Sequence, residues 1–229
     1  GLQHLIQRRL NYEPMAYITG QKEFYGLMHY VNTDVIVPRP ETETLVEQTI
    51  KVAAKYPTSA PRIIDIGTGC GAIAITLAVY MPGVNIIATD ISIAALRVAH
   101  QNCITHRVNN QIQLLQTDLL DPINRYADIL VANLPYIRDA DADKLSHEIR
   151  NYEPESALFG GRDGLREINR LLEQAKHKLT PGGFILLEIS PEQQVDVKEM
   201  ANRNYPGSSI EIIPDLSGIE RVIVIQTSM

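Results

Sequence analysis

From residue 62 onward, the chain alternates between short runs of Ile, Val and Leu and longer segments with helical spacing of apolar residues. Apolar runs of strand length separated by helices are typical of a parallel sheet that helices cover on both faces. The predicted strands are 62–66, 84–89, 112–116, 128–132, 184–189, 210–213 and 221–226. The predicted helices are 72–80, 92–106, 165–178 and 191–203. We therefore predict an α/β fold, and the lack of a repeating period excludes a solenoid.

The segment before this alternation predicts a smaller unit. Residues 2–12 place apolar side chains close to helical spacing, which predicts a helix. Residues 23–37 are rich in aromatic and β-branched side chains, as in a short β-hairpin. A stiff Pro-Arg-Pro turn at 38–40 leads into a second predicted helix over 41–56, with acidic residues in its first turn. Residues 57–61 are a predicted loop.

A glycine-rich turn, Asp65-Ile-Gly-Thr-Gly-Cys-Gly71, follows the first strand of the alternation. Glycines at such a turn permit a tight bend and let a ligand approach the backbone. Asp90 ends the next predicted strand, where an acidic residue takes the ribose hydroxyls in nucleotide-binding α/β folds. The spacing Gly67-x-Gly69-x-Gly71 differs from the dinucleotide motif G-x-G-x-x-G. It resembles the first motif of class I methyltransferases, which bind S-adenosylmethionine.

That resemblance implies roles for further residues near the predicted cofactor site. Asp118, which closes the third strand, would lie near the adenine, and Leu119 would pack on the ring. The alternatives are a capping or turn acid for Asp118 and a simple core residue for Leu119. The full set of predicted cofactor-binding residues is Gly67, Thr68, Gly69, Cys70, Gly71, Asp90, Asp118, Leu119 and Asn133.

The four residues Asn133-Leu134-Pro135-Tyr136 follow the strand at 128–132. They resemble the Asn-Pro-Pro-Tyr motif of methyltransferases that act on a planar nitrogen. Such a nitrogen is a poor nucleophile, because its lone pair is spread into a π system. Two acceptors, the Asn133 side-chain oxygen and the Leu134 carbonyl, can orient it and stabilise the charge that builds on it. Tyr136 can pack on the flat target group.

Leu134 stands where this motif usually has Pro, and Asn-Leu-Pro-Tyr also resembles the motif of ribosomal-RNA adenine dimethyltransferases. The acceptor survives this change because every residue has a carbonyl, and Pro135 still favours an extended conformation at the residue before it. The motif alone therefore leaves open an amide nitrogen or the exocyclic amine of adenine as the target.

The segment 15–48 closely resembles the region before the catalytic domain in the PrmC/HemK family of protein-glutamine methyltransferases. The resemblance rests on Val37-Pro38-Arg39-Pro40-Glu41-Thr42-Glu43, on Glu23-Phe24-Tyr25-Gly26, and on Asn151-Tyr152-Glu153-Pro154 later in the chain. It covers residues 13–227. It implies a class I S-adenosylmethionine-dependent fold with a seven-stranded sheet whose last strand is antiparallel.

The resemblance also implies a substrate and a domain plan. The substrate would be the Gln of the Gly-Gly-Gln loop in class I peptide-chain release factors. Arg39 and Asn133 to Tyr136 would lie at the substrate site. Residues 1–14 would be the remnant of an N-terminal helical domain, 15–60 a hairpin and linking helix, and 61–229 the methyltransferase domain. Because the first residue is Gly1, we expect a truncated chain.

Charge helps to weigh the rival functions. The chain has 21 Lys and Arg against 27 Asp and Glu, a formal net charge of −6. Proteins that hold nucleic acid by its phosphates are usually basic, which argues against the adenine methyltransferase reading. A glutamine methyltransferase of a ribosomal protein and a module that binds S-adenosylmethionine without catalysis remain alternatives.

Cysteine and histidine usage complete the expectations. Cys70 and Cys103 are too few for a disulfide framework, and there is no secretory signal, so the cytoplasm is the expected compartment. The six histidines have no metal-ligand spacing, so no metal is expected.

Overall fold

A computed structural model of the protein describes residues 1–56 and 60–228. Its N-terminal part is helical, with a small two-stranded sheet between helices. The elements are α1 (Leu2–Leu10), α2 (Met15–Thr19), β1 (Gln21–Phe24), β2 (Leu27–Tyr30) and α3 (Glu43–Ala53), the last preceded by a 3-10 turn at Pro40–Thr42. Residues 57–59 of the predicted loop lie outside the described residues. Among the described helices, none is both long and apolar enough to cross a membrane.

The rest of the chain builds one seven-stranded sheet with helices on both faces. Its strands are β3 (Arg62–Ile66), β4 (Asn85–Asp90), β5 (Ile112–Gln116), β6 (Ala127–Ala132), β7 (Leu179–Glu188), β8 (Ser209–Pro214) and β9 (Glu220–Gln226). The α-helices are α4 (Ala72–Tyr80), α5 (Ile93–Thr105), α6 (His147–Tyr152), α7 (Arg166–Ala175) and α8 (Gln194–Asn204). Short 3-10 turns lie at Asp139–Lys144, Glu155–Ala157 and Pro191–Gln193.

The strand order is β5-β4-β3-β6-β7-β9-β8, and β9 runs antiparallel to both of its neighbours. The seven-stranded sheet with an antiparallel last strand is therefore confirmed. The order reverses between β3 and β6, and open α/β sheets bind ligands at the carboxyl ends of the strands beside such a switch point. Ile66 pairs with both Thr89 and Ala132, so the loops that follow β3, β4 and β6 meet at one edge.

Alternate residues of the central strands face two separate apolar cores. Ile63 of β3 and Val131 of β6 pack on the face covered by α3, α4 and α5. Ile64 and Leu130, their neighbours in sequence, pack on the opposite face with α7 and α8. Burial on both sides explains why these strands are continuous apolar runs, and it fixes the register that aligns the site-forming strand ends.

Several predicted boundaries are wrong, and the hairpin and β7 differ most. The hairpin covers 21–30 rather than 23–37, and the β-branched residues at 31–37 include buried valines that fill the core as irregular chain. β7 begins at Leu179 instead of 184, so α7 ends at Ala175. The Pro-Gly-Gly segment at 181–183 belongs to β7, because its backbone hydrogen-bonds to residues 227 and 228. The pairing of β7 with β6 is irregular there, with a register shift between Ala127 and Ile129.

Candidate active site

The glycine-rich loop between β3 and α4 is stabilised by hydrogen bonds to the Asp65 carboxylate. Its buried carboxylate oxygen Oδ2 accepts hydrogen bonds from the Thr68 hydroxyl at 2.6 Å and from the Ala74 N–H at 3.2 Å. Burial raises the pKa of Asp65 to about 7, while these bonds favour its charged form. Gly71 has φ +86°, and a Cβ there would lie 2.8 Å from the Ile75 side chain. The loop is thus packed too tightly for a larger residue at its end.

Asp90 joins this loop to the end of β4. Its carboxylate accepts the N–H of Gly69 at 2.9 Å through one oxygen and the N–H of Ser92 at 2.9 Å through the other. A carboxylate has about four acceptor positions, so about two remain for a ligand. Burial raises the pKa of Asp90, and the backbone N–H groups oppose that shift. The arrangement can take the two hydroxyls of a ribose.

Asp118 and Leu119 follow β5, the strand that pairs with β4. The Asp118 carboxylate pairs with Arg170 of α7 at 2.6 Å, and Arg170 also binds Glu167 at 2.7 Å. Leu119 has φ +55°, a conformation that is uncommon outside glycine and places a buried leucine in the cavity wall. The hydroxyl of Thr117 donates to the Leu119 carbonyl at 2.8 Å and supports this conformation.

These loops enclose a cavity of about 270 Å³. The predicted site residues that line it are Gly67, Gly69, Asp90, Asp118, Leu119, Asn133, Leu134 and Pro135. The structure does not bring Thr68, Cys70, Gly71, Arg39 or Tyr136 to this wall. The Thr68 hydroxyl instead donates to Asp65 and stabilises the loop. Cys70 is buried, and burial raises the pKa of its thiol to about 12.

The motif Asn133-Leu134-Pro135-Tyr136 follows β6, and its first three residues line the cavity. The Asn133 amide nitrogen donates to the Thr42 hydroxyl oxygen at 3.1 Å. No donor among the described residues hydrogen-bonds Asn133 Oδ1 or the Leu134 carbonyl. The site therefore offers two free acceptors in adjacent residues.

The end of the motif is fixed from two sides. The Tyr136 hydroxyl donates to Glu188 at 3.1 Å, and the Gln193 side chain donates to the Tyr136 carbonyl at 3.0 Å. Gly164 packs against the same peptide, where an added Cβ would lie 2.1 Å from the Tyr136 carbonyl oxygen. Burial and the adjoining Glu188 carboxylate raise the pKa of Tyr136 well above its ordinary value.

Arg39 occupies a neighbouring groove rather than the cavity. Its guanidinium binds the Glu153 carboxylate at 2.6 Å, and the Glu153 side chain is buried. Burial raises the pKa of Glu153, and Arg39 opposes that shift. The pair ties the stiff Pro-Arg-Pro turn to the end of α6.

Sequence reasoning gave no individual role to several residues of the site. Arg166, Glu167 and Arg170 line the cavity from α7, and Thr42 and Glu188 contact the Asn133 motif. Glu188 carried a readable signal, since an acid that ends a buried apolar strand resembles the position of Asp90. The other contacts join residues far apart in sequence and leave no periodic pattern.

Comparison with known proteins places the chain among methyltransferases. A family model described as methyltransferase small domain matches residues 42–153. Release factor glutamine methyltransferase of Koribacter versatilis is 39% identical over 221 residues, which is 96% of this chain and 76% of the relative. The relative of the same name from Neisseria gonorrhoeae is 41% identical over 221 residues, which is 95% of this chain and 78% of the relative.

A solved structure adds a similar fold. The protein-(glutamine-N5) methyltransferase (release factor-specific) from Alicyclobacillus acidocaldarius superposes with a TM-score of 0.52 at 28% identity. The superposition covers 84% of this chain and 95% of that one.

Proposed function

Because this chain belongs to the family of release factor glutamine methyltransferases, we propose that it transfers a methyl group from S-adenosylmethionine to the side-chain amide nitrogen of a glutamine. The proposed target is the Gln of the Gly-Gly-Gln loop of class I release factors. The proposed compartment is the cytoplasm, in line with two buried and free cysteines. The observation that carries the proposal is the pair of free acceptors, Asn133 Oδ1 and the Leu134 carbonyl, on two residues that line the cavity.

An amide nitrogen needs such a pair. Its lone pair is delocalised into the carbonyl, so it attacks poorly unless it is held in line with the methyl group. The two N–H bonds of a glutamine amide match the two acceptors of the motif. As the new bond forms, positive charge builds on nitrogen, and the Asn133 and Leu134 oxygens stabilise it. The methylated nitrogen then releases its acidic proton, so the site needs no strongly basic residue.

The cavity fits the proposed cofactor. S-adenosylmethionine, when bound, supplies a methyl group on a positively charged sulfur. Asp90 retains acceptor positions for ribose hydroxyls, and the Leu119 and Ile91 side chains give the cavity apolar surface for an adenine ring. Asp118 and the backbone of Gly67 and Gly69 are the further proposed contacts.

Tyr136 has a proposed role in addition to the one that the sequence suggested. Its hydroxyl bonds to Glu188, which fixes the direction of the ring beside the motif. Packing of that ring on the target amide stays a prediction. Arg39 stays a predicted substrate contact, through the groove that it shares with Glu153.

A labelling experiment tests the proposal. The chain is incubated with S-adenosylmethionine carrying a labelled methyl group and with a class I release factor, or with the same factor carrying Gly-Gly-Glu in place of Gly-Gly-Gln. We expect label only in the first, because glutamate has no amide nitrogen. Equal labelling of both factors, or labelling of added ribosomal RNA instead, would contradict the proposal.

A further inference from the structure

Thr42 connects the turn before α3 to the proposed catalytic motif. It is buried at the end of the 3-10 turn Pro40–Thr42, and its hydroxyl oxygen accepts the Asn133 amide N–H at 3.1 Å. The two residues are 91 positions apart in sequence. This contact therefore depends on the fold and is not a local feature of the motif.

Glu188 lies behind Thr42 at the end of β7. Its side chain belongs to a residue only 1% exposed, and the Tyr136 hydroxyl donates to its Oε1 at 3.1 Å. Burial raises the pKa of Glu188, and the adjoining Thr42 and Tyr136 side chains oppose that shift. Arg221 is a nearby positive charge that acts in the same direction as these side chains. The other oxygen of Glu188, Oε2, is buried and has no hydrogen-bond partner among the described residues.

The carboxylate imposes a direction on these hydrogen bonds. In its ionised form the Glu188 carboxylate accepts and cannot donate. The Tyr136 hydroxyl donates to Oε1, and the unpartnered Oε2 is the acceptor to which the Thr42 proton would point. The Thr42 oxygen then presents only lone pairs to Asn133. Only the NH₂ half of the Asn133 amide can then face Thr42, and Oδ1 must point away from Thr42.

We propose that Thr42 and Glu188 are positioning residues that hold the Asn133 amide with its oxygen toward the substrate. The inference rests on the proposed function, in which Asn133 Oδ1 accepts a target N–H. The two halves of an asparagine amide have nearly the same shape, so the motif by itself does not fix which half faces the substrate. A reversed amide would present its N–H groups to the N–H groups of the target, which cannot accept them. It would instead bind a group that offers a carbonyl oxygen.

The first test compares Thr42→Val, which removes the hydroxyl, with Thr42→Ser, which restores it. Loss of one orienting hydrogen bond of about 1–1.4 kcal/mol corresponds to a kcat that falls roughly five- to tenfold in Thr42→Val. The KM for S-adenosylmethionine should stay within about twofold of wild type, and Thr42→Ser should recover most of kcat. The matched control is Thr49→Val in α3, the helix that follows the turn, because among the described residues its buried hydroxyl bonds only the Leu45 carbonyl.

The second test reads the amide orientation directly and does not require activity. In protein labelled with ¹⁵N-asparagine, the Asn133 side-chain signal is assigned by its loss in Asn133→Ala. Its N–H protons should be protected from exchange in wild type and in Thr42→Ser, and less protected in Thr42→Val. Glu188→Gln is the second variant. Its amide can donate to the Thr42 oxygen, so the hydrogen bonds among residues 188, 42 and 133 can reverse direction, and the Asn133 N–H protons should be less protected than in wild type. Each variant is checked for a wild-type unfolding transition.

The outcomes separate the two claims. Reduced kcat and reduced protection in Thr42→Val, both restored in Thr42→Ser, support the positioning role. Wild-type kcat and protection in Thr42→Val would overturn it. If wild type leaves the release factor unmodified, the proposed function fails, and the exchange comparison still decides whether Thr42 orients Asn133.

Discussion

His29 of β2 makes the stability of this protein depend on pH in a way that can be calculated. The side chain is 0% exposed, and neither ring nitrogen has a hydrogen-bond partner among the described residues. Its ring lies against Phe24 and His106, with centroid distances of 6.2 and 5.2 Å. Burial, and to a smaller extent the neighbouring His106, lowers the pKa of His29 from 6.5 to about 4.

The sign and size of the effect follow from that shift. Between pH 6.5 and about 4, the unfolded chain binds a proton at His29 that the folded chain does not. The free energy of unfolding therefore falls as the pH falls through this window, and the loss levels off below pH 4. Because the pKa is about 4 in the folded chain instead of 6.5, and each pH unit corresponds to 1.36 kcal/mol, the total loss is about 3 kcal/mol.

Urea unfolding followed by circular dichroism, from pH 7.5 down to pH 4, measures this loss in wild type and in His29→Leu. Leucine fills a similar volume and does not titrate. As the pH falls across this range, the free energy of unfolding of His29→Leu should therefore rise by about 3 kcal/mol relative to that of wild type. Asp65 and the other titrating groups are present in both proteins and cancel in the difference. The exposed His100 provides the control His100→Gln. The reasoning is refuted if the difference in the free energy of unfolding between wild type and His29→Leu stays constant within about 0.5 kcal/mol from pH 7.5 to pH 4.

Three further predictions concern the site. Asn133→Ala should lower kcat for methyl transfer by about 10²–10³ while S-adenosylmethionine binding is still measurable by calorimetry, and full activity would contradict the acceptor pair. Asp90→Ala should weaken S-adenosylmethionine binding at least about tenfold, since it removes charged hydrogen bonds of about 1.5–3 kcal/mol each. Gly164→Ala should lower the free energy of unfolding by more than about 1 kcal/mol and also lower kcat, because the new methyl collides with the Tyr136 backbone. The control Gly207→Ala also has positive φ but meets no atom within 4 Å, so its kcat should equal that of wild type.

The sequence predicts the sheet well where a strand is buried on both faces. β3, which is buried from Ile63 to Ile66, has the bounds that its apolar run indicates, and the glycine-rich turn lies where the spacing places it. Prediction failed where backbone pairing overrides composition. The Pro-Gly-Gly stretch inside β7 has loop composition, yet its position between β6 and β9 makes it part of the strand.

The cavity wall was predictable in part for a similar reason. Gly69, Asp90 and Asn133 follow sheet strands directly, so knowledge of the topology brings them together. The contact between Thr42 and Asn133, and the pairing of Asp118 with Arg170, link residues 91 and 52 positions apart. Hydrophobic periodicity carries no information about such pairs, and only the packed structure reveals them.

The chemical identity of the methylated atom tests the central claim most directly. A release factor labelled by this protein is digested, the labelled peptide is identified, and the peptide is hydrolysed in acid. The acceptor pair of Asn133 and Leu134 predicts that the label lies in the Gly-Gly-Gln peptide and is released as methylamine, because the methyl group is on nitrogen. Release of labelled methanol, which reports a methyl ester on oxygen, or label in a different peptide would contradict it.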